Sequence, residues 1–244
     1  MRLLGPAEIH GRLPEIHGMV HSAYPEFINH DHIAKTNWAS LYGDFLEYQL
    51  ILQDKEKIVA VGNSIPLFVD DFTDFPSQGW DWALELGVRQ HELKIKPNQL
   101  IGLSIAVNPD YAGQCISETI LLKFKALAAQ HNFEKVLIPI RPTLKHLYPL
   151  TEFAEYSNLK SKDGHFDPWI RIHERIGGKR ICVCHNSMRI TGSVAEWENW
   201  TQLRFPISGE YHIGGGLVPL TIDLEQNIGR YVEPNIWYTH QAEE

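Results

Sequence analysis

The stretch LIGLSIAVNPDYAGQCISETILLKFKALAAQH, residues 100–131, decides the fold of this chain. Residues 100–107 are apolar enough for a buried strand, and a turn follows at 108–114. The remainder carries apolar residues three to four positions apart, which is the pattern of an amphipathic helix. They are Ile116, Ile120, Leu121, Phe124, Leu127 and Ala128. A strand that turns directly into a helix leaves unpaired backbone N–H groups at the helix start, so this stretch predicts a phosphate site.

Composition limits the class of protein. The chain has 244 residues, 43% hydrophobic and 21% charged, which is typical of one large globular domain. A formal charge of -8 argues against a nucleic-acid partner. No apolar run is long enough for a bilayer, the residues after Met1 do not form a signal peptide, and three cysteines make no disulfide framework. We therefore expect a cytoplasmic protein with neither a nucleic-acid nor a membrane partner.

The rest of the chain predicts a mixed α/β order. We expect helices at 14–24, 32–45, 80–93, 168–176 and from 194 onward, a hairpin of strands 47–53 and 57–67, and further strands at 136–140, 181–184, 217–224, 229–232 and 236–238. Pro139 cannot donate a ladder hydrogen bond, so either its strand is short or a neighbouring strand parts from it there. We predict a core at 1–184 with an insertion at about 142–166. Residues 185–244 would complete the sheet and cover the site, and pairing with a second copy as a homodimer is left open.

Two motifs resemble those of the GCN5-related N-acetyltransferase (GNAT) superfamily. The first is VNPDYAGQCIS at 107–117, where the family has Arg/Gln-x-x-Gly-x-Gly/Ala and this chain has Ala112, Cys115 and Ser117 at the matching positions. The second is IHERIGG at 172–178, which is similar to the family's Leu-Tyr-Glu-Lys-Leu-Gly-Phe. The resemblance implies a GNAT-like mixed central sheet with splayed parallel strands, helices on both faces and an extended C-terminal part.

The same resemblance implies an acyltransferase that uses acetyl-CoA or another acyl-CoA as co-substrate and acylates an amine of a small molecule or peptide by direct attack. A cysteine at the glycine position must point away from the diphosphate or narrow its site, and the missing arginine removes one charged contact. A non-catalytic acyl-CoA-binding regulatory module is the alternative. The residues implied to hold the coenzyme are Ile105, Ala106, Val107, Ala112, Gly113, Gln114, Cys115, Ile116 and Ser117.

The resemblance also implies candidates for the catalytic groups. His173 stands where many family members have the tyrosine that protonates the departing thiolate, although a helix-surface histidine is the simpler interpretation. Tyr148 is the reserve candidate from a different alignment of that motif. The strand at 100–107 has no carboxylate, so Glu85 is the predicted base. Its acidic neighbours are Asp70, Asp71, Asp74 and Asp81, which are equally typical of a solvated loop.

Two tryptophans and an aspartate are candidates for the acceptor pocket, and two other motifs suggest different functions. We expect Trp80, Asp81 and Trp197 to bind the acceptor, with an aromatic core as the alternative for the tryptophans. Gly-x-Ser-x-Ala at 102–106 resembles a nucleophile elbow, but Ser104 lies within a strand instead of at a sharp turn. The run at 182–185, Cys-Val-Cys-His, lacks the spacing and ligand number of a zinc site, so no metal is predicted.

Overall fold

A computed structural model gives the fold and describes residues 1–70 and 76–243. Its centre is a mixed nine-stranded sheet with the order β1-β2-β3-β4-β5-β11-β10-β9, and β8 pairs with β11. A separate small hairpin is formed by β6 and β7. The strands are β1 (Arg2–Leu3), β2 (Leu50–Asp54), β3 (Lys57–Leu67), β4 (Gln99–Val107), β5 (Lys135–Ile140), β6 (Lys160–Ser161), β7 (Gly164–His165), β8 (Lys179–Gly192), β9 (Gly209–Tyr211), β10 (Leu220–Asp223) and β11 (Ile228–Gln241).

Helices cover both faces of the sheet, as predicted. They are α1 (Pro6–His10), α2 (Leu13–Ser22), α3 (His32–Asn37), α4 (Trp80–Glu92), α5 (Ile116–Gln130), α6 (Phe153–Tyr156), α7 (Pro168–Arg175) and α8 (Val194–Thr201). One apolar core lies between the sheet and the face that carries α1, α2, α4 and α8. A second core lies between the sheet and the face with α5 and α7. No helix within residues 1–70 and 76–243 is long and apolar enough to cross a membrane.

The strand, turn and helix of residues 100–131 are confirmed as β4 and α5. β4 and β5 are parallel and pair only from Gln99 to Ile101 on the first strand and from Lys135 to Leu137 on the second. Beyond that point the two strands separate, while β5 goes on pairing with β11 through Pro139 and Ile140. The predicted splay next to the proline is therefore present.

The predicted helix at 32–45 is wrong in its second half. The α-helix α3 ends at Asn37, and a 3₁₀ helix, Trp38–Tyr42, continues it. Side chains compete with the helical backbone at this junction, because Asn37 Nδ2 donates to Ile33 O at 3.0 Å and Ser40 Oγ donates to Asn37 O at 2.6 Å.

The C-terminal part shares the central sheet, and the boundary expected between 184 and 185 lies within a strand. β8 runs through that point as one 14-residue strand. The two strands predicted at 229–232 and 236–238 are likewise one strand, β11, which pairs with β5, β8 and β10. The segment 142–166 contains α6 and the β6–β7 hairpin.

Candidate functional site

A cavity of about 1010 Å³ opens where β4 and β5 separate. Residues 102–105 of β4 and residues 138–141 at the end of β5 form its two inner walls. α2 and the segment after it close one side, and α7 closes another. Further lining residues are His17, His21, Tyr24, Lys35, Trp38, Trp80, Ser117, Thr143, His146, Trp169, Ile172, Met188, Gly215, Glu233 and Asn235. The cavity is large enough for both a pantetheine arm and a small acceptor.

β4 carries a bulge inside this cavity. Ser104 pairs with Asn63 and Gly102 pairs with Ser64, so Leu103 is left as an extra residue in the ladder. The carbonyl of Leu103 accepts a hydrogen bond of 2.8 Å from Trp80 Nε1. Because a bulge turns backbone groups out of the ladder, β4 can present main-chain donors to a ligand between the strands.

The start of α5 offers a row of free main-chain donors. Gly113 has φ 76° and Cys115 has φ 56°, so two residues of the turn are left-handed. From Gly113 to Glu118, six consecutive backbone N–H groups donate to no acceptor in the described part of the chain. Ser117 lines the cavity, and the Cys115 side chain is exposed. A turn of this kind followed by a helix fits a diphosphate.

A chain of polar side chains leads from the cavity into the protein. Ser104 Oγ donates to Asn63 Oδ1 at 2.9 Å, and Asn63 Nδ2 donates to the hydroxyl of Tyr42 at 2.7 Å. The hydroxyl of Tyr24 lies beside Ser104 and the backbone of Ile105. Burial raises the pKa of Tyr24, and these contacts oppose the shift. The phenol therefore stays protonated at neutral pH and can donate a proton.

An ion pair lies in the cavity wall at the end of β5. Arg141 Nε donates to Glu233 Oε1 at 2.8 Å and its Nη2 donates to Oε2 at 3.1 Å. Glu233 is fully buried, and the Tyr231 hydroxyl donates to its Oε2 at 2.7 Å. Arg141 Nη2 also donates to the carbonyl of Gly215 at 2.6 Å. Because Glu233 and Gly215 together accept three hydrogen bonds from Arg141, the guanidinium is held in one orientation.

Only some of the predicted coenzyme and acceptor residues line the cavity. Ile105, Ser117 and Trp80 do so. Ala106 is buried in the core, and Trp197 is fully buried at the far side of the same core, against Phe27. Val107 ends β4, residues 112–115 lie in the turn beyond it, and Ile116 begins α5. Trp197 is thus a core residue, in agreement with the alternative of an aromatic core.

His173 and Tyr148 lie outside the cavity. The His173 ring is fully buried on α7, with Nδ1 2.9 Å from His240 Nε2 on β11. Burial lowers its pKa well below the usual value, so it is neutral at pH 7 and a poor acid. The structure therefore corrects the interpretation of His173 as a helix-surface histidine. Tyr148 is exposed and packs against Phe166 in the segment after β5.

Of the predicted acidic residues, Asp70, Asp81 and Glu85 do not line the cavity either. Glu85 is exposed on α4. Asp81 Oδ2 accepts from the backbone N–H of Arg189 at 2.9 Å, and its pKa is raised to about 8 by burial and by the carboxylate of Asp31. Asp70 is exposed, and Asp71 and Asp74 lie outside the described residues. Among residues 1–70 and 76–243, no group of three or more His, Cys, Asp or Glu could hold a metal ion.

Comparisons with known proteins give one curated relative and several related folds. No family model matches the chain. Arginine N-acetyltransferase avaD from Aspergillus versicolor is 30% identical, over 90% of this chain and 85% of that protein. The loading GNATL domain of CurA from Lyngbya majuscula has a TM-score of 0.63 at 16% identity, covering 99% of this chain and 96% of that domain. The GphF GNAT-like decarboxylase in complex with isobutyryl-CoA has a TM-score of 0.57 at 11% identity, covering 99% and 98%.

Proposed function

The chain belongs to the GCN5-related N-acetyltransferase superfamily, and we propose that it acetylates an amino acid such as arginine within the cavity between β4 and β5. It is an acyltransferase that takes its acyl group from acyl-CoA and passes it to an amine. The acceptor proposal is supported by the curated relative, whose name gives arginine as its substrate. We place the reaction in this cavity because it opens where β4 and β5 separate and reaches the start of α5.

We place the donor along the open part of β4. The diphosphate of acetyl-CoA would accept hydrogen bonds from the N–H groups of residues 113–118, and its pantetheine would run beside Ile105. The thioester would then lie at the Leu103 bulge, where a main-chain N–H can stabilise the oxyanion. Trp80 supports this arrangement, because its indole fixes the Leu103 carbonyl.

We propose direct attack of the amine on the thioester. The amine nitrogen forms a bond to the carbonyl carbon, the C–S bond then breaks, and the thiolate leaves. His17 lines the cavity, and burial lowers its pKa, so its neutral ring is our proposed base for the amine proton. Tyr24 is our proposed acid for the thiolate, in place of His173, because its protonated hydroxyl lies beside the bulged strand.

The test is an acyl-transfer assay with acetyl-CoA and L-arginine. Release of free CoA thiol should depend on both compounds, and mass spectrometry should find one acetyl group on the amino acid. The His17→Gln variant should lower kcat by about 10²-fold, the low end of the usual range for general acid–base catalysis. If acetyl-CoA binds but no amine in a broad panel releases thiol, the chain is a binding module and the proposal is wrong.

The cytoplasmic location and the homodimer predicted from the sequence stay predictions. In support of the first, Cys115, Cys182 and Cys184 are all free, which is usual in a reducing compartment. Microscopy of the tagged protein checks the location, and light scattering of the purified protein checks the assembly.

A further inference from the structure

We propose that Arg141 binds the carboxylate of the acceptor, which makes the substrate a free α-amino acid that is acetylated on its α-amine. The inference rests on the proposed function and adds to it the residue that binds the acceptor carboxylate and the nitrogen that reacts.

The first support for this inference comes from the hydrogen-bond donors of Arg141 that have no partner in the described part of the chain. A guanidinium has five N–H groups. Nε and Nη2 supply three of them, to the two oxygens of Glu233 and to Gly215 O. Nη1 makes no hydrogen bond with residues 1–70 or 76–243, although the side chain is only 20% exposed and lines the cavity. Because Nη1 has no partner among these residues and Arg141 lines the cavity, its N–H groups can bind an anionic ligand there.

The orientation of Arg141 is fixed by a second layer of contacts. Glu233 is fully buried and also accepts from the Tyr231 hydroxyl at 2.7 Å. That hydroxyl in turn accepts from the backbone N–H of Leu217 at 2.8 Å. The guanidinium therefore has little freedom to turn towards solvent. With Nε and Nη2 occupied by Glu233 and Gly215, the two N–H groups of Nη1 are the donors left for a second carboxylate.

The position of Arg141 selects the α-amine. The residue follows directly on β5, and its charge acts on Tyr24, whose hydroxyl lies beside Ser104 and the backbone of Ile105 on β4. In an α-amino acid the amine and the carboxylate are attached to the same carbon. A carboxylate bound at the end of β5 therefore places the amine in the gap between the strands, next to the bulge. The terminal group of a long side chain would lie several bonds further away.

The experiment compares L-arginine with L-argininamide and agmatine as acceptors, with acetyl-CoA as the donor. The amide keeps the α-amine and lacks the negative charge, and agmatine lacks the carboxyl carbon altogether. For the wild-type enzyme, kcat/KM should be about 10–100-fold higher for the acid than for the amide, as expected for loss of charged hydrogen bonds. Mass spectrometry of the product should place the acetyl group on the α-nitrogen.

Arg141→Lys keeps a positive charge beside Glu233 and removes the Nη1 donors. The preference for acid over amide should fall to a few-fold, mainly through a higher KM for arginine. Arg141→Met together with Glu233→Gln removes the ion pair without leaving a buried charge, and should abolish the preference. Thermal melting with and without acetyl-CoA shows whether each variant is folded and binds the donor.

Three outcomes overturn the inference. The first is a wild-type enzyme that acetylates the amide as efficiently as the acid. The second is a variant that loses activity on both acceptors in equal proportion, which would mean that Arg141 has a structural role. The third is an enzyme that acetylates amines without a carboxylate but no α-amino acid; the inference then fails while acyl transfer stands. If no amine of any kind is acetylated, the proposed function fails as well.

Discussion

At the scale of single residues, Cys115 lies in the turn before α5, which we propose holds the diphosphate of the donor. It has a left-handed backbone with φ 56°, which is unfavourable for a residue with a Cβ atom. Its side chain is exposed, so no buried contact offsets the strain. Cys115→Gly should therefore stabilise the fold by about 0.5–1 kcal/mol and lower the Kd for acetyl-CoA. Cys115→Ser is the matched control, because it keeps the Cβ atom. Denaturant melts measure the free energy of unfolding, and calorimetry measures the Kd for acetyl-CoA. Equal values for Cys115→Gly and Cys115→Ser would contradict the prediction.

A second residue-scale prediction separates the two candidates for the acid. Tyr24 lines the cavity, whereas His173 is fully buried against His240. Tyr24→Phe should lower kcat by about 10²-fold with little change in the affinity for acetyl-CoA. His173→Gln should instead lower the free energy of unfolding by about 1–3 kcal/mol, because it disturbs a buried contact, and should leave kcat of the folded fraction close to wild type. Stopped assays measure kcat and melts measure the free energy of unfolding for both variants. A loss of kcat in His173→Gln but not in Tyr24→Phe would restore His173 as the acid.

At the scale of elements, two buried carboxyl groups connect α3, α4 and β8. Asp31 caps α3 through Ala34 N, and Asp81 on α4 accepts from the backbone of Arg189 on β8. One oxygen of each group, Oδ2 of Asp31 and Oδ1 of Asp81, is buried with no partner among the described residues. Two neighbouring acceptors without a donor favour one shared proton. In agreement, the pKa of both carboxyl groups is raised, that of Asp81 to about 8.

This pair predicts how stability changes with pH. Between about pH 4 and pH 8 the native state keeps the Asp81 proton while the unfolded chain has lost it. The native state then binds more protons, so its stability falls as pH rises through this window and levels off above it. Asp81→Asn should flatten this slope and stabilise the protein by about 1–3 kcal/mol at pH 8.5. Glu92→Gln, at the exposed C-terminal end of α4, is the control and should keep the slope. Melts from pH 5 to pH 9 measure how the free energy of unfolding changes with pH. Parallel slopes for Asp81→Asn and wild type would refute the shared proton.

At the scale of the whole molecule, we propose that the donor contacts β4, β5 and α5 together. Acetyl-CoA at about 100 times its Kd should stabilise the protein by about 2.7 kcal/mol, and raise Tm by about 5–10 °C for a chain of this size. S-acetylpantetheine has the same arm without the phosphates, so it should give a clearly smaller shift at the same concentration. Differential scanning fluorimetry measures both ligands. Equal shifts would mean that residues 113–118 do not hold the diphosphate.

The sequence by itself determined the elements that depend on local spacing. The period of the apolar residues specified β4 and α5, Asp167 and Pro168 specified the start of α7, and Ser193 with Glu196 specified the capping box of α8. The order of these elements, with the motifs at 107–117 and 172–178, was enough to show a resemblance to the superfamily. Such features could be predicted because each depends on residues close together in the chain.

Only the tertiary structure decided which side chains share the cavity. Tyr24 and Glu233 are 209 positions apart and reach one wall because β11 pairs beside β5. No local pattern marks either residue, or Arg141 between them in the sequence. The same long-range pairing buries His173 against β11, although the motif around it suggested a position at the reacting sulfur. Local spacing fixes the face of a helix or strand, but what that face meets depends on pairing between distant segments.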